Sequence, residues 1–294
     1  MKKFFSLIAP FFFVAMITAC GDSSKKEASS ETNATNSTEV SQNSGSLDAI
    51  KKNGVIRIGV FADKPPFGFI DEKGVNQGYD IVFAKRIAKE LLGDENKVQF
   101  VLVEAANRVE FLKSDKVDLI LANFTQTPER AEQVDFTLPY MKVSLGIVVP
   151  ADLNVSSVDD IKDLTLILNK GTTADAYFSL NRPDIKSLKF DQNTEAYEAF
   201  SSGKGQAFAH DNTLLFAWVK DKPQFKVAIK ELGNKDVIAG AVKKGNAELK
   251  AFVDDLIVKL AGERFFNQAY ELTLKDAFTD DIKAEDIVIE GGKL

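Results

Sequence analysis

Three short stretches combine residue types suited to holding small charged groups. Thr127-Pro128-Glu129-Arg130 reads as a helix start, with Thr127 as N-cap and Pro128 at the first helical position, where its missing N–H costs nothing. Arg130 then falls in the first turn. A guanidinium and the positive end of a helix dipole address one place, which suits an anion. The structural alternative is an arginine solvated on a helix surface. Lys170-Gly171-Thr172-Thr173 is a second strand-to-helix turn, and free N–H groups at Thr172 and Thr173 suit an anion too. On the plainer reading they only cap a helix. Asp211 stands where a strand gives way to a helix, either as the partner of a cation or as an N-cap. His210 beside it is the one histidine of the chain; it lines a pocket or serves the structure.

The rest of the composition excludes more than it suggests. One cysteine and one histidine rule out a disulfide framework and a Cys/His zinc site, so no metal or cofactor is expected. The formal net charge is −6 and no basic stripe appears, which argues against nucleic acid or anionic lipid as a partner. The motif segments contain no Ser/His/Asp set and no second carboxylate paired with Asp211, so no catalytic residue is nominated. With 294 residues, 45% of them hydrophobic, the chain can build a sizeable core.

The elements that must position these residues alternate between strand-like and helix-like. Residues 55–60, 98–103, 117–122, 146–149, 165–168 and 206–209 read as short strands. Asp80 is expected to cap a helix through Leu92, with Ile81, Ala84, Ile87, Ala88 and Leu91 on one face. Further helices are expected over 107–113, after Thr127, near Thr172, Thr194 and Asp211, and over 246–260 and 263–271. Such alternation predicts an α/β architecture with parallel strands.

Residues 1–19 read as a secretory signal: Lys2 and Lys3, then an apolar run over 4–17, too short and unflanked for a permanent span. The run ends Ile17-Thr18-Ala19-Cys20, which resembles a bacterial lipobox and implies cleavage before Cys20 and lipidation of its thiol. The alternative is ordinary cleavage near Ala19. Residues 20–46 have almost nothing to bury and are expected to form a lipidated flexible tether, with a reach of roughly 25–30 Å.

Several segments carry a family resemblance. They are Gly54-Val55-Ile56-Arg57-Ile58-Gly59-Val60, Pro65-Pro66-Phe67-Gly68, Gly78-Tyr79-Asp80-Ile81 and Asn107-Arg108-Val109-Glu110-Phe111-Leu112. Val117-Asp118-Leu119-Ile120, Thr127-Pro128-Glu129-Arg130, Val134-Asp135-Phe136-Thr137-Leu138-Pro139-Tyr140 and Val242-Lys243-Lys244-Gly245-Asn246 follow in order. Across nearly the whole chain after the tether, this set resembles the family 3 extracellular solute-binding receptors for polar amino acids of ABC importers. Asp63-Lys64-Pro65-Pro66-Phe67-Gly68, Leu121-Ala122-Asn123-Phe124-Thr125 and Ala209-His210-Asp211-Asn212-Thr213 look closest to the cysteine- or cystine-binding branch. The resemblance implies a type II periplasmic binding protein, two α/β lobes joined by a two-strand hinge with the ligand in the cleft. Lobe one would be 47–141 plus 240–294 and lobe two 142–239, with crossings near 140–146 and 235–240.

The resemblance also implies the ligand and its partners. A free amino acid presents an α-carboxylate, which suits a bidentate guanidinium and N–H donors, and an α-ammonium, which suits a carboxylate. Arg130, Thr125, Thr172 and Thr173 are the candidates for the carboxylate, with Ala122 and Asn123 in the same loop as Thr125. Asp211 is the candidate for the ammonium. Arg108 reaches the ligand's side chain or braces the loop; Phe61 and Phe67 wall the ligand or pack in the core. The sequence departs from the family at Val82, where a second acidic residue is frequent, and at Asn123, frequently Gly, whose side chain is expected to enter the site. Phe61 and Lys64 stand where many members place a stacking aromatic, so the pocket for the ligand's side chain differs.

The implied setting is the periplasmic face of a bacterial membrane, with the inner membrane favoured and the outer membrane or surface as the alternative. There a lipid-anchored monomer would pass its ligand to the membrane permease subunits of an ABC importer. A small-acid dehydratase of the same fold and a surface antigen or adhesin with secondary ligand binding are the competing classes. Asn33 and Asn154 each head an Asn-x-Ser/Thr string with an acidic residue two positions earlier, and are candidate glycosylation sites.

Overall fold

The structure is a computed structural model that describes residues 45–294. The signal-like segment 1–19, Cys20, Asn33 and the tether up to residue 44 lie outside the described residues. In chain order the first elements are α1 Leu47–Asn53, β1 Ile56–Val60, β2 Asp63–Lys64, β3 Gly68–Ile70, β4 Asn76–Gln77, α2 Tyr79–Leu92 and β5 Val98–Leu102. Then follow α3 Arg108–Lys113, β6 Leu119–Ile120, α4 Pro128–Ala131, β7 Val134–Pro150, β8 Leu166–Asn169, α5 Thr173–Asn181 and β9 Ser187–Phe190. The last are α6 Asn193–Ser201, β10 Ala207–Asp211, α7 Asn212–Val219, β11 Phe225–Lys243, α8 Ala247–Ala261, α9 Phe265–Thr273 and the short α10 Ala284–Ile287.

Eight of the strands join in the order β5-β1-β6-β11-β7-β10-β8-β9. On one flank β1 pairs in parallel with β5 and β6; on the other β8 pairs in parallel with β9 and β10. Between the flanks, the long antiparallel pair β7 and β11 belongs to both. Each flank has its own apolar clusters. Ile56, Ile58 and Val60 of β1 pack with Phe83 and Ile87 of α2 and Leu249, Val253 and Ile257 of α8. Leu145, Ile147, Leu166, Leu168 and Phe178 pack in the other half, as do Phe200, Phe208 and Leu215. Parallel strands covered by helices are buried on both faces, which is why these strands read as continuous apolar runs rather than alternating ones.

The α2 face is as expected: Ile81, Ala84, Ile87 and Ala88 are buried and Leu91 packs partly against them. Its start is not. The N-cap is Gly78, at φ 117°, and Asp80 lies inside the first turn with its carboxylate turned into the protein. An aspartate of ordinary capping sequence is drawn away because two buried donors await it. The strand expected over 117–122 contracts to Leu119–Ile120, and the one expected over 146–149 expands to Val134–Pro150. β7 tolerates Pro139 because its partner shifts register there, between Ala239 and Ala241, so the missing N–H breaks no regular ladder bond. β11 extends well beyond the crossing expected near 235–240: Gly233 and Asn234 interrupt its pattern, and its pairing shifts register between Leu232 and Asp236. Near that shift Asn212 accepts from the N–H of Ser144 at 3.1 Å and donates to the carbonyl of Lys230 at 3.0 Å. Gly45 and Ser46, at the end of the stretch read as tether, are held to the body: Asn246 donates to the Gly45 carbonyl at 2.8 Å, and Ser46 caps α1.

Candidate ligand-binding site

The chain turns toward one small space at the carboxyl ends of the parallel strands. Phe61 follows β1, Ala105 follows β5, Asn123 and Thr125 follow β6, Thr172 and Thr173 follow β8, and Asp211 ends β10. Crevices at strand carboxyl ends are where open α/β sheets hold ligands, because side chains and helix N-termini from several loops converge there.

One end of this space is built for an anion. Thr127 caps α4 and accepts from the Arg130 N–H at 3.3 Å, with Pro128 just inside the helix, as the sequence predicts. The Arg130 guanidinium donates to the carbonyls of Thr125 at 2.7 Å and Gly171 at 2.9 Å. Burial pulls its pKa down to about 10, so it stays charged at neutral pH. Arg108 lies alongside. It donates to the carbonyls of Ala105 at 3.0 Å, Ala122 at 2.9 Å, Asn123 at 3.3 Å and Gly171 at 3.3 Å. Its pKa is driven well below the usual value, first by burial and next by the Arg130 charge. Both guanidinium groups rest on the Phe124 ring, at 4.3 and 4.8 Å from its centroid. A guanidinium has five N–H donors. Arg108 spends its bonds bracing the loops, whereas Arg130 keeps donors free. Two cations whose hydrogen bonds go to neutral carbonyls leave this end of the cavity electropositive.

The start of α5 closes the same end from the opposite half. Gly171 sits at φ 72°, and a Cβ there would lie 2.4 Å from the Cα of Ala106. Only glycine lets the two halves meet so closely with its carbonyl under both arginines. The Thr172 hydroxyl is consumed in capping, accepting from Asp175 at 3.1 Å and donating to Asn169 at 2.8 Å. Thr173 faces inward, its hydroxyl 3.4 Å from Asp211, and its N–H, at the first helical position, lacks an intrahelical acceptor.

The other end is anionic. Asp211 occupies the N-cap position of α7 but makes no side-chain cap bond. Its Oδ2 accepts from Lys64 at 2.8 Å, while Oδ1 has only the long contact to Thr173. Burial, the largest single influence, pushes the Asp211 carboxyl up, but the Lys64 ammonium and the His210 contact together hold it well below the usual carboxylate range. His210 stands behind, not in, the cavity. It is buried, its Nδ1 accepts from the Asp211 N–H at 2.7 Å, and burial lowers its pKa, so the ring is neutral.

Lys64 and Asn123 form the third wall. The Lys64 ammonium donates to Asn123 Oδ1 at 2.7 Å as well as to Asp211, and lies 5.3 Å from the Phe61 ring centroid. Asn123 enters the site as expected. It is held in a left-handed conformation, φ 44°, by a bond from its N–H to Asp80 at 2.8 Å; the other Asp80 oxygen accepts from Tyr140 at 2.7 Å. Asp80 thus shapes the Asn123 loop from beneath, a role its capping sequence concealed. Phe61 lines the cavity, but Phe67 does not. The turn after β2 folds Phe67 wholly into the core, where its carbonyl accepts from the Asp80 N–H at 2.9 Å. Ala122 contributes its carbonyl to Arg108 while its side chain packs in the core.

Sequence reasoning missed Asp63, which precedes Lys64 on β2. It reaches the opposite half and accepts from the N–H groups of Asn193 at 2.7 Å and Thr194 at 3.2 Å and from the Asn193 amide at 2.9 Å. The Asp-Lys pair in a strand was a usable signal, since neighbouring side chains point opposite ways. Among the described residues no group of His, Cys, Asp and Glu is placed to hold a metal, and no helix is long and apolar enough to cross a membrane.

Two α/β halves sharing a pair of long strands, with a cavity of opposed charges where their strand ends face each other, define a type II periplasmic binding protein. Comparison with known proteins agrees. The model of the bacterial extracellular solute-binding proteins, family 3, matches residues 56–272. A cysteine-binding protein from Campylobacter jejuni is 72% identical with a TM-score of 0.82, over 83% of this chain and 98% of that one. The solute receptor for L-cysteine of Neisseria gonorrhoeae is 55% identical with a TM-score of 0.82, over 83% and 100%. The ABC transporter glutamine-binding protein of Bacillus subtilis is 31% identical over 94% of this chain and 98% of its own. The chain belongs to the bacterial extracellular solute-binding proteins, family 3.

Proposed function

We propose that the protein captures a free amino acid, cysteine before others, outside the inner membrane and delivers it to the membrane permease subunits of an ABC importer. The observation that carries this reading is the opposition, across one small cavity, of Arg130 and the α5 start to the Asp211 carboxylate. Arg130 takes the α-carboxylate as a fork, with Thr125 and the Thr173 N–H beside it. Asp211 takes the α-ammonium through Oδ1, its less engaged oxygen. The relatives named for cysteine support that choice of ligand. Binding rather than turnover is supported by the electrostatics: Asp211 is held as a fixed anion, a poor proton donor at neutral pH.

Lobe one comprises 47–141 and 240–294, lobe two 142–239, and closure pivots where β7 and β11 cross between them. The register shifts of β11 support this, since irregular pairing is the softest part of a ladder. Lipidation at Cys20 holds the monomer at the periplasmic face of the inner membrane. A thermal-shift screen of the twenty amino acids and cystine tests the reading. Cysteine should raise the melting temperature most, and a screen with no stabilising amino acid refutes it.

A further inference from the structure

We infer that Lys64, together with Asn123, reads the ligand's side chain and selects one that accepts hydrogen bonds while rejecting cationic side chains. This rests on the amino-acid reading above and specifies the part of the ligand that reading leaves open.

Three observations lead there. First, an ammonium has three donors and no acceptor. Two of the Lys64 donors are taken, by Asn123 Oδ1 and Asp211 Oδ2, and Lys64 lines the cavity while being 2% exposed. Second, because Lys64 only donates, the amide atom it meets must be the oxygen of Asn123. The amide orientation is therefore determined, and Nδ2 is left as a donor. Among the described residues that atom is buried without a hydrogen-bond partner, on a residue that is 1% exposed and lines the same cavity. A buried donor without an acceptor is costly, so a ligand that supplies one is favoured over a ligand that does not.

Third, the charges lining the cavity are unequal. Lys64, Arg108 and Arg130 face one carboxylate, Asp211; Asp80 lies behind the loop and His210 is neutral. A zwitterionic main part adds no net charge, so the remaining field is positive. It repels the side chains of lysine and arginine and favours an electron-rich sulfur or oxygen. Phe61, whose ring centroid lies 5.3 Å from the Lys64 ammonium, and Ala105 line the same small cavity, which favours a short side chain. Cysteine meets these demands: one short arm ending in an acceptor. Alanine offers no acceptor, and glutamine and arginine carry their polar ends too far and add donors.

The test is calorimetry with cysteine (under reductant), serine, alanine, glutamine and arginine on wild-type protein, Lys64→Met and Asn123→Gly. Glycine at 123 keeps the left-handed backbone, so that variant remains informative if Lys64→Met folds poorly. Wild-type protein should bind cysteine at least about tenfold tighter than alanine, and each variant should lose most of that ratio. A Lys64 that merely steadied Asp211 would weaken cysteine and alanine equally, and that outcome overturns the inference, as does an unchanged ratio. Wild-type protein that binds amino acids but prefers glutamine or arginine also overturns it while leaving the amino-acid reading intact. Wild-type protein that binds none of them removes both.

Discussion

Replacing Arg130 tests the carboxylate clamp directly. In Arg130→Ala the ligand's α-carboxylate is still enclosed but loses its charged fork. Truncating one partner of a buried, hydrogen-bonded charge pair costs about 2–5 kcal/mol, which is about 30-fold to a few thousand-fold in Kd. Arg108 cannot take over, because its donors are tied to the carbonyls of Ala105, Ala122, Asn123 and Gly171. Part of the loss is indirect: Arg130 also links the Thr125 loop to Gly171 across the cleft. Arg130→Lys separates the two contributions. A lysine keeps the charge and one carbonyl contact but cannot form a fork, so it should recover only a fraction of the affinity. Calorimetry with cysteine gives the Kd values, and a circular-dichroism melt confirms that both variants fold. Near wild-type affinity in both folded variants would refute the assignment of Arg130 to the carboxylate.

Other outcomes follow from the same geometry. Asp63→Ala removes a contact across the cleft that touches no ligand, so it should weaken all amino acids by a similar factor and leave their order unchanged; small-angle scattering should show a less complete decrease in radius of gyration on binding. A change in the order of ligands would count against a closure role. Burial raises the Asp80 carboxyl from 3.8 to about 6. The folded state therefore binds the proton more tightly, and this stability is full below pH 4 and is lost as pH rises through 6. Asp80→Asn should abolish that contribution, so the difference in melting temperature between it and wild type should change across pH 4–6 and be flat above 7. Cys20→Ser should appear in the soluble envelope fraction or as unprocessed precursor, and unchanged membrane fractionation would rule out lipidation there. Asn154 is exposed in a loop and Asn123 buried. In a glycosylating host, intact mass should therefore show sugar at Asn33 or Asn154 and none at Asn123.

Local signals were legible where one segment's own chemistry sufficed. Thr127-Pro128 started α4 because a capping hydroxyl and a proline at N1 need nothing from elsewhere. The apolar face of α2 followed from helical period, and the ordered motifs placed Thr125, Asn123, Thr173 and Asp211 after or at strand ends and Arg130 in the first turn of a helix, where they line one cavity.

What the sequence did not reveal depends on partners distant along the chain. Asp80 reads as a cap, yet Tyr140 and the Asn123 N–H, 60 and 43 residues further along the chain, turn its carboxylate inward. Phe67 reads equally as a ligand wall or a core residue, and the fold of the turn decides for the core. The pairing of β7 with β11 spans residues whose patterns are broken by Pro139, Gly233 and Asn234, so their strand character comes from each other. Lys64 gains its meaning only when Asp211 arrives 147 residues later in the chain. Sequence by itself determined the residue types and the local turns that present them. Tertiary structure decided which charges meet, because an ion pair or an enclosed cavity is a property of two segments and is written in neither alone.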